Sequence, residues 1–256
     1  MRHKPILLLI IAILISSTAL IAGDCGDVNS SGTVNILDVS FLINYLYKGV
    51  PAPDCGIQIG KVTDIDGNIY RTVKIGDRWW IVENLQVTHY RNGVAIPNVT
   101  DDGTWSGLTT RTYCGFDNHI NNVAIYGRLY NWYAVNDAQN IAAAGWHVPS
   151  DNEWQTLVDY LGGDVVAGGK MKEAETIHWS DPNNGANNES GITALGGGNR
   201  IYSGCYGTLG NDAHFWSSTL GGSGGALSRI LNYNNLDVVR STCSWRHGFS
   251  IRCVKD

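Results

Sequence analysis

Apolar residues recur at two different intervals along this chain. In Gly145 to Gly163, reading GWHVPSDNEWQTLVDYLGG, the residues Trp154, Leu157, Val158 and Leu161 share the spacing of one helix face. Ser150 stands before them as an N-cap, and Glu153 three residues on completes a capping box. Val148 and Trp154 are placed as a hydrophobic staple, and Gly162-Gly163 supply a left-handed stop. The pattern predicts a short helix with one apolar side, which needs a sheet to lie on.

Shorter runs with strand-forming residues predict that sheet. They are 69–75, 79–82, 192–195, 215–218, 226–233, 238–241 and 249–254. Asp66-Gly67, Gly76-Asp77 and Asn92-Gly93 read as turns. Residues 170–175 suggest a second short helix, and 126–135 either an aromatic helix or an irregular segment under the sheet. Residues 100–122 and 178–190 read as polar loops. Short helices, many short strands and long loops make the fold class α+β.

The first fifty-odd residues follow a different pattern. Arg2, His3 and Lys4 precede an unbroken apolar run from Ile6 to Ile15, then small residues to Gly23, which is the layout of a secretory signal over residues 1–23. An uncleaved anchor is the alternative, because Ile6 to Ala22 approaches the length of a membrane span. Residues 24–56 form a small unit of their own. Asp27, Asn29, Ser31, the Thr33 carbonyl, Asn35 and Asp38 fall on the ligand positions of a calcium loop, with Gly32 at its sharp turn. Ile36, Val39, Leu42, Ile43 and Leu46 then line one helix face, stopped by Gly49 and Pro51. So few residues cannot bury a self-sufficient core, so the ion and a Cys25–Cys55 bridge would act as staples. Residues 57–256 form the main domain.

Composition narrows the function classes. The chain has 256 residues, with 31 glycines and 9 tryptophans, which suits a loop-rich fold with aromatic packing. Formal charge is -5, and no Lys/Arg cluster offers a phosphate-binding face, so nucleic acid is a poor partner. No membrane contact is expected beyond the signal segment. Export makes the six cysteines readable as disulfides, and position favours Cys25–Cys55 and Cys114–Cys253, leaving Cys205–Cys243.

Two stretches carry family resemblances. The calcium loop and its helix resemble one dockerin type I repeat, although dockerins carry two and position five here is Ser31 rather than an acid. That resemblance implies calcium binding and a tethering role toward a cohesin-like partner in a polysaccharide-degrading assembly. WWIVENL (79–85), YGRLYNWYAV (126–135), GWHVPSDNEWQTLVDYLGG, ESGITAL (189–195), FWSST (215–219) and GFSIRCVKD (248–256) together resemble the Fibrobacter succinogenes major paralogous domain. This implies a secreted protein with a C-type-lectin-like fold, similar in outline to formylglycine-generating domains, in which first and last strands pair. It implies no particular reaction.

Candidate chemistry is sparse. His147 beside the helix start has no nucleophile spaced for a triad, and reads better as a buried, hydrogen-bonded histidine. Glu153 and Glu189 are the acids a glycosidase pair would need, but Glu153 is already explained by the capping box. The seven histidines show no zinc spacing. Asp181-Pro182-Asn183 and Trp216-Ser217-Ser218 resemble lectin calcium motifs only in part, and Cys243 and Cys253 are too far apart for the redox pair of formylglycine-generating enzymes. The balance favours a secreted or cell-surface, non-catalytic binding protein recognising glycan or a surface protein. A glycoside-acting enzyme, or an accessory of such an assembly, is the alternative. The ligand site is placed on the C-terminal stretch: Ser223, Leu227, Asn232, Tyr233, Asn234, Asp237, Arg240, Thr242, Trp245, Arg246 and His247. Tyr, Trp and Arg carry binding energy at interfaces, while Asn and Ser supply adaptable hydrogen bonds. The stretch resembles the variable ends of lectin-like proteins diversified by retroelements. On that reading Cys243 is a variable position, which weakens the Cys205–Cys243 pairing.

Calorimetric titration of the exported chain with calcium is expected to show heat that Asp27→Ala abolishes. Unchanged heat in that variant would remove the calcium-loop assignment.

Overall fold

The computed structural model describes residues 58–256. The signal segment, the calcium ligands Asp27, Asn29, Ser31, Thr33, Asn35 and Asp38, and the Cys25–Cys55 pair lie outside the described residues.

The chain opens with β1 (Ile59–Thr63), β2 (Ile69–Ile75) and β3 (Arg78–Ile81). There follow α1 (Asp102–Gly107), β4 (Tyr113–Cys114), α2 (Ile120–Tyr126), β5 (Leu129–Tyr130), α3 (Trp132–Val135) and β6 (Trp146–His147). The second half runs α4 (Asp151–Tyr160), α5 (Ala167–Met171), β7 (Gly197–Arg200), β8 (Tyr206–Leu209), β9 (Asp212–Leu220), β10 (Gly225–Asn232), β11 (Val238–Ser244) and β12 (Val254–Lys255). One sheet has the order β1-β2-β3-β12-β6, a second the order β11-β10-β9-β7-β8, and β4 pairs β5. The start and end of the described chain thus share a sheet, with Val254 opposite Trp80. This mixture of short helices and several sheets is compatible with α+β.

Strand pleating sorts the core into two halves. Successive residues of a strand point to opposite faces. Accordingly Trp80 and Ile81, Phe215 and Trp216, and Val254 and Cys253 each divide between two clusters. The predicted helix is α4, and it belongs to the second cluster. Its Trp154 ring lies 5.0 Å from Trp80 of the first sheet and 5.6 Å from Phe215 of the second. Its capping box is formed: Glu153 N–H donates to Ser150 Oγ at 3.2 Å, and Ser150 N–H donates to Glu153 Oε2 at 2.9 Å. Gly162 and Gly163 follow at φ 107 and 95, where a Cβ would be strained. The staple is not made, because Val148 packs in the first cluster and Trp154 in the second.

Several elements depart from the sequence pattern. Residues 100–122, expected as loop, hold α1, β4 and the start of α2. Asp101 caps α1 by accepting from Thr104 N–H, and burial of Trp105 gives that one turn a reason to exist. The second helix ends at Met171 rather than running to 175. Ile192 to Leu195 is not a strand; Ala194 makes only a bridge to Lys172, and the strand is the glycine-led β7. In residues 249–254 only Val254 joins a strand, while Phe249 and Ser250 bridge singly to Tyr130 and Phe215.

All four described cysteines are free, so neither Cys114–Cys253 nor Cys205–Cys243 is formed. Cys114 is buried with Trp105, Phe116 and Leu129, whereas Cys253 lies in the first main cluster. Cys205 is exposed in a loop, and Cys243 accepts a hydrogen bond from Ser228 Oγ.

Long loops are tied down by buried cations. The Lys172 ammonium, fully buried, donates to the carbonyls of Asn184, Asn232 and Asn235 at 2.9 to 3.0 Å. Its Nζ lies 5.5 Å from the Trp179 ring centre. Burial lowers its pKa to about 8. The Asn184 and Asn235 carbonyls belong to loops and the Asn232 carbonyl ends β10, so the ammonium joins three chain segments. Arg252 does the same with the Asn84 side chain and the Ile192 carbonyl.

Lys172→Met keeps the volume and removes the donors, leaving three partly buried carbonyls without this partner. We expect a loss of about 2 kcal/mol, since an unpaired buried polar group costs on that order and relief of ammonium desolvation offsets part of the sum. Urea unfolding of the variant measures it; an unchanged midpoint would show that the loops do not depend on this ammonium.

Candidate functional site

The C-terminal stretch forms a hairpin. β10 and β11 pair from Gly225↔Ser244 to Leu231↔Val238, and β11 is the edge of the second sheet. Along so long a ladder the two ends stand about 20 Å apart. The predicted site residues are therefore not one face.

Asn232, Tyr233, Asn234 and Asp237 gather at the tip, where they do structural work. The Asn232 side chain donates to Asp212, and its carbonyl receives Lys172. Asn184 Nδ2 donates to the Asn234 carbonyl at 2.6 Å, and Tyr233 packs against the second cluster. The Asp237 carbonyl lies where a Cβ on Gly168 would stand 2.4 Å away, so α5 meets the tip backbone to backbone. In the middle of the hairpin, Leu227 is buried. Arg240 pairs with Asp151 in the first turn of α4 at 2.9 Å, beside the buried Arg229, which reaches the same carboxylate at 2.8 Å.

Ser223, Thr242, Trp245, Arg246 and His247 lie at the other end. Ser223 and Thr242 are exposed. Trp245 stacks on Trp132 at 5.7 Å and meets Tyr133 edge-on at 5.9 Å. His247 stacks on Tyr202 at 5.6 Å, and the Arg246 guanidinium stands over the same tyrosine at 5.7 Å. The backbone here is pinned: Trp132 N–H donates to the Trp245 carbonyl at 2.9 Å, and Trp105 Nε1 to the Arg246 carbonyl at 2.8 Å. Trp245 Nε1 and His247 Nδ1 are buried atoms without a hydrogen-bond partner among the described residues. Burial, then His214 and Arg246, lowers the His247 pKa to about 4, so its ring is neutral at neutral pH. Tyr133 and Tyr202 were missed by the sequence reading. Tyr133 sits in the aromatic run 126–135, and Tyr202 is a half-exposed aromatic between strands, which is the only sequence signal either gives.

His147 is hydrogen-bonded as expected, but its side chain is half-buried rather than buried. Its Nδ1 contacts Asp256 Oδ1 at 2.6 Å, and its Nε2 contacts both Glu153 oxygens at 3.0 and 3.1 Å. Burial opposes charge on Glu153, but the Ser150 N–H, the Ser150 hydroxyl and His147 outweigh it and hold its pKa below the ordinary value. Glu189 instead pairs with Lys170 at 3.0 Å, so each acid of the suggested glycosidase pair is engaged in a local contact. The near-lectin motifs are also absorbed. Asn183 is buried and donates to the carbonyls of Glu173 and Glu175, and Ser217 Oγ accepts from Thr219 N–H. Among the described residues, no group of His, Cys, Asp and Glu is arranged to hold a metal ion.

The family model for the Fibrobacter succinogenes major domain matches residues 73–255. The chain belongs to that family. A dockerin type I domain model matches residues 25–69 ahead of the Fibrobacter succinogenes major domain. No curated protein and no solved structure matches the chain. Dockerin type I domains bind calcium and cohesin partners, and the match points to an extracellular, cellulosome-type assembly. The dockerin match runs on through β1 and the Asp64-Ile65-Asp66-Gly67-Asn68 turn. In the fold it is a hairpin turn. The Asp64 carboxylate is filled by Asp66 N–H, Asn68 N–H, Asn68 Nδ2 and Tyr70 OH at 2.6 to 3.0 Å, and Asp66 Oδ1 contacts His89 Nδ1 at 2.6 Å. No helix of the described residues is long and apolar enough to cross a membrane.

Glu153 titrates lower in the fold than in the unfolded chain. Its stabilisation is present above the ordinary glutamate value of 4.5 and is lost as pH falls through the lower folded value. Thermal melts of wild type and Glu153→Gln should therefore differ most at pH 6 and converge toward pH 3. A constant gap across that range would show that the carboxylate's charge is not what holds the start of α4.

Proposed function

We propose that this chain is an exported, non-catalytic recognition component. In it residues 24–56 act as a calcium-dependent tether, and residues 57–256 form a C-type-lectin-like domain that binds an extracellular glycan or surface protein. The tether reading rests on donor chemistry: Asp27, Asn29, Ser31, Thr33, Asn35 and Asp38 offer oxygen atoms alone, as calcium prefers. Support for the lectin-like fold is that β3 and β12 join the start and end of the domain in one sheet.

The observation that carries the recognition reading is the pinned aromatic end of the β10–β11 hairpin. Tyr202, Trp245, Arg246 and His247 present stacked rings and a guanidinium on a backbone already held in place. Such preorganised aromatic and arginine groups lose little freedom on binding. Ser223 and Thr242 border it. Retroelement diversification between Leu220 and His247 would have to spare the buried Leu227 and Arg229 and the tip residue Asn232, and act on the exposed end.

The test is retention of the exported chain on insoluble plant and microbial polysaccharides and on surface-protein fractions, with and without chelator. Tyr202→Ala combined with Arg246→Ala is expected to weaken retention at least tenfold, equivalent to about 1.4 kcal/mol, with an unchanged melting temperature. Full retention by the folded double variant would move the recognition face elsewhere.

A further inference from the structure

A groove of about 550 Å³ runs beside α4, and no residue of the hairpin end lines it. This volume lies within the range of ligand clefts, roughly 300 to 1,000 Å³. One wall is the β2–β3 turn with Asp77 and Arg78, and the other is the outer side of α4. Asn152, Thr156 and Tyr160 follow at intervals of four, so they form one row along that wall. From Asn152 to Tyr160 the row extends about 12 Å, at roughly 1.5 Å per residue. Trp80 lies in the floor.

Two features distinguish the groove from an ordinary surface crease. The first is Tyr160. Its ring is 66% exposed, yet it lies against the backbone of Gly76, where an added Cβ would stand 3.2 Å from it. An aromatic face is thus held in place while remaining open to solvent. The second is the set of polar groups along the groove. Among the described residues, the Asp77 carboxylate, the Asn152 amide and the Tyr160 hydroxyl make no hydrogen bond. The exposed Arg78 guanidinium makes only long contacts, at 3.4 Å to the Lys255 carbonyl and 3.6 Å to Glu153. Planar carboxylate, amide and guanidinium groups each offer paired donors or acceptors.

This combination matches one ligand chemistry. A pyranose ring has an apolar face of C–H groups, which stacks on an aromatic ring, and an equator of hydroxyls, each both donor and acceptor. Asp77 and Glu153 outnumber Arg78, so the lining is net negative and disfavours uronic acids and sulfated sugars. We propose that this groove binds a short run of neutral sugar residues, with Tyr160 as the stacking platform and Asp77, Arg78 and Asn152 as hydroxyl partners. The site is separate from the hairpin end and does not depend on that assignment.

The probes are cellohexaose, xylohexaose and mannohexaose, with hexagalacturonate as the charged comparison, titrated into the exported chain. Calorimetry reads affinity, and tryptophan emission reports on Trp80 in the floor. At least one neutral oligosaccharide is expected to bind and shift the emission. Tyr160→Ala, and separately Arg78→Gln, are expected to weaken it tenfold or more with an unchanged melting temperature. Binding of no neutral oligosaccharide, tighter binding of hexagalacturonate, or wild-type affinity in Tyr160→Ala would each overturn the proposal. The Tyr202→Ala, Arg246→Ala double variant is run in parallel. Loss in that variant with full binding in Tyr160→Ala places the sugar at the hairpin end, overturning the groove while leaving the recognition reading intact. Retention on polymers that responds to the double variant, with no oligosaccharide binding, has the same meaning.

Discussion

The contact of Trp154 with Trp80 on one side and Phe215 on the other is what joins the two sheets into one domain. The indole N–H of Trp154 also donates to the Trp216 carbonyl, so the ring is fixed in orientation as well as position. Because Trp80 and Phe215 each have a neighbour facing the opposite cluster, the same strands transmit that fixation into the first core. Buried tryptophans elsewhere repeat the device: Trp132 donates to Ser217, Trp179 to Ala194 and Trp216 to Tyr130. Each combines a large apolar surface with one satisfied donor.

Around this centre the fold is mostly loop, and loops raise the question of where their carbonyls find donors. Lys172, Arg200 and Arg252 answer it with side chains instead of ladders. Arg200 alone reaches the carbonyls of Gly204, Val99 and Thr100, pairs with Asp102 at 2.6 Å, and lies against the rings of Trp105 and Tyr206. A buried cation of this kind costs desolvation, which the surrounding carbonyls and rings offset. In exchange several chain segments are held at one point without regular secondary structure.

This division explains what was legible in the sequence. The start and stop of α4 are local, and Ser150, Glu153, Gly162 and Gly163 spell them out; β9, β10 and β11 follow from strand-forming runs. The hairpin turns at Gly67, Gly76 and Gly93 were equally plain. By contrast, β7 is made of Gly197, Gly198, Asn199 and Arg200, and is a strand only because β8 and β9 flank it. The role of Lys172 depends on carbonyls dozens of residues away, which no local pattern encodes. The site was legible in composition but not in extent. Which of Asn232, Tyr233, Trp245 and His247 is free to bind depends on which end of the hairpin meets α5, and that is a matter of tertiary packing. Cysteine count pointed to bridges, but burial of Cys114 and Cys253 in separate clusters keeps them apart.

The placement of β1 has a mechanical consequence. It is an edge strand, and residues 24–56 precede it in the chain. On the proposed reading, with the domain held by a ligand and the tether by an assembly, tension arrives at Ile59. It loads the ladder from Ile59↔Val73 to Thr63↔Ile69, then passes through β2 and β3 to the Trp80–Val254 pairing. The outermost strand is paired on one side only, and its release would leave β2, β3 and β12 paired. On the proposed reading, pulling that frees β1 would lengthen the tether without opening the rest of that sheet.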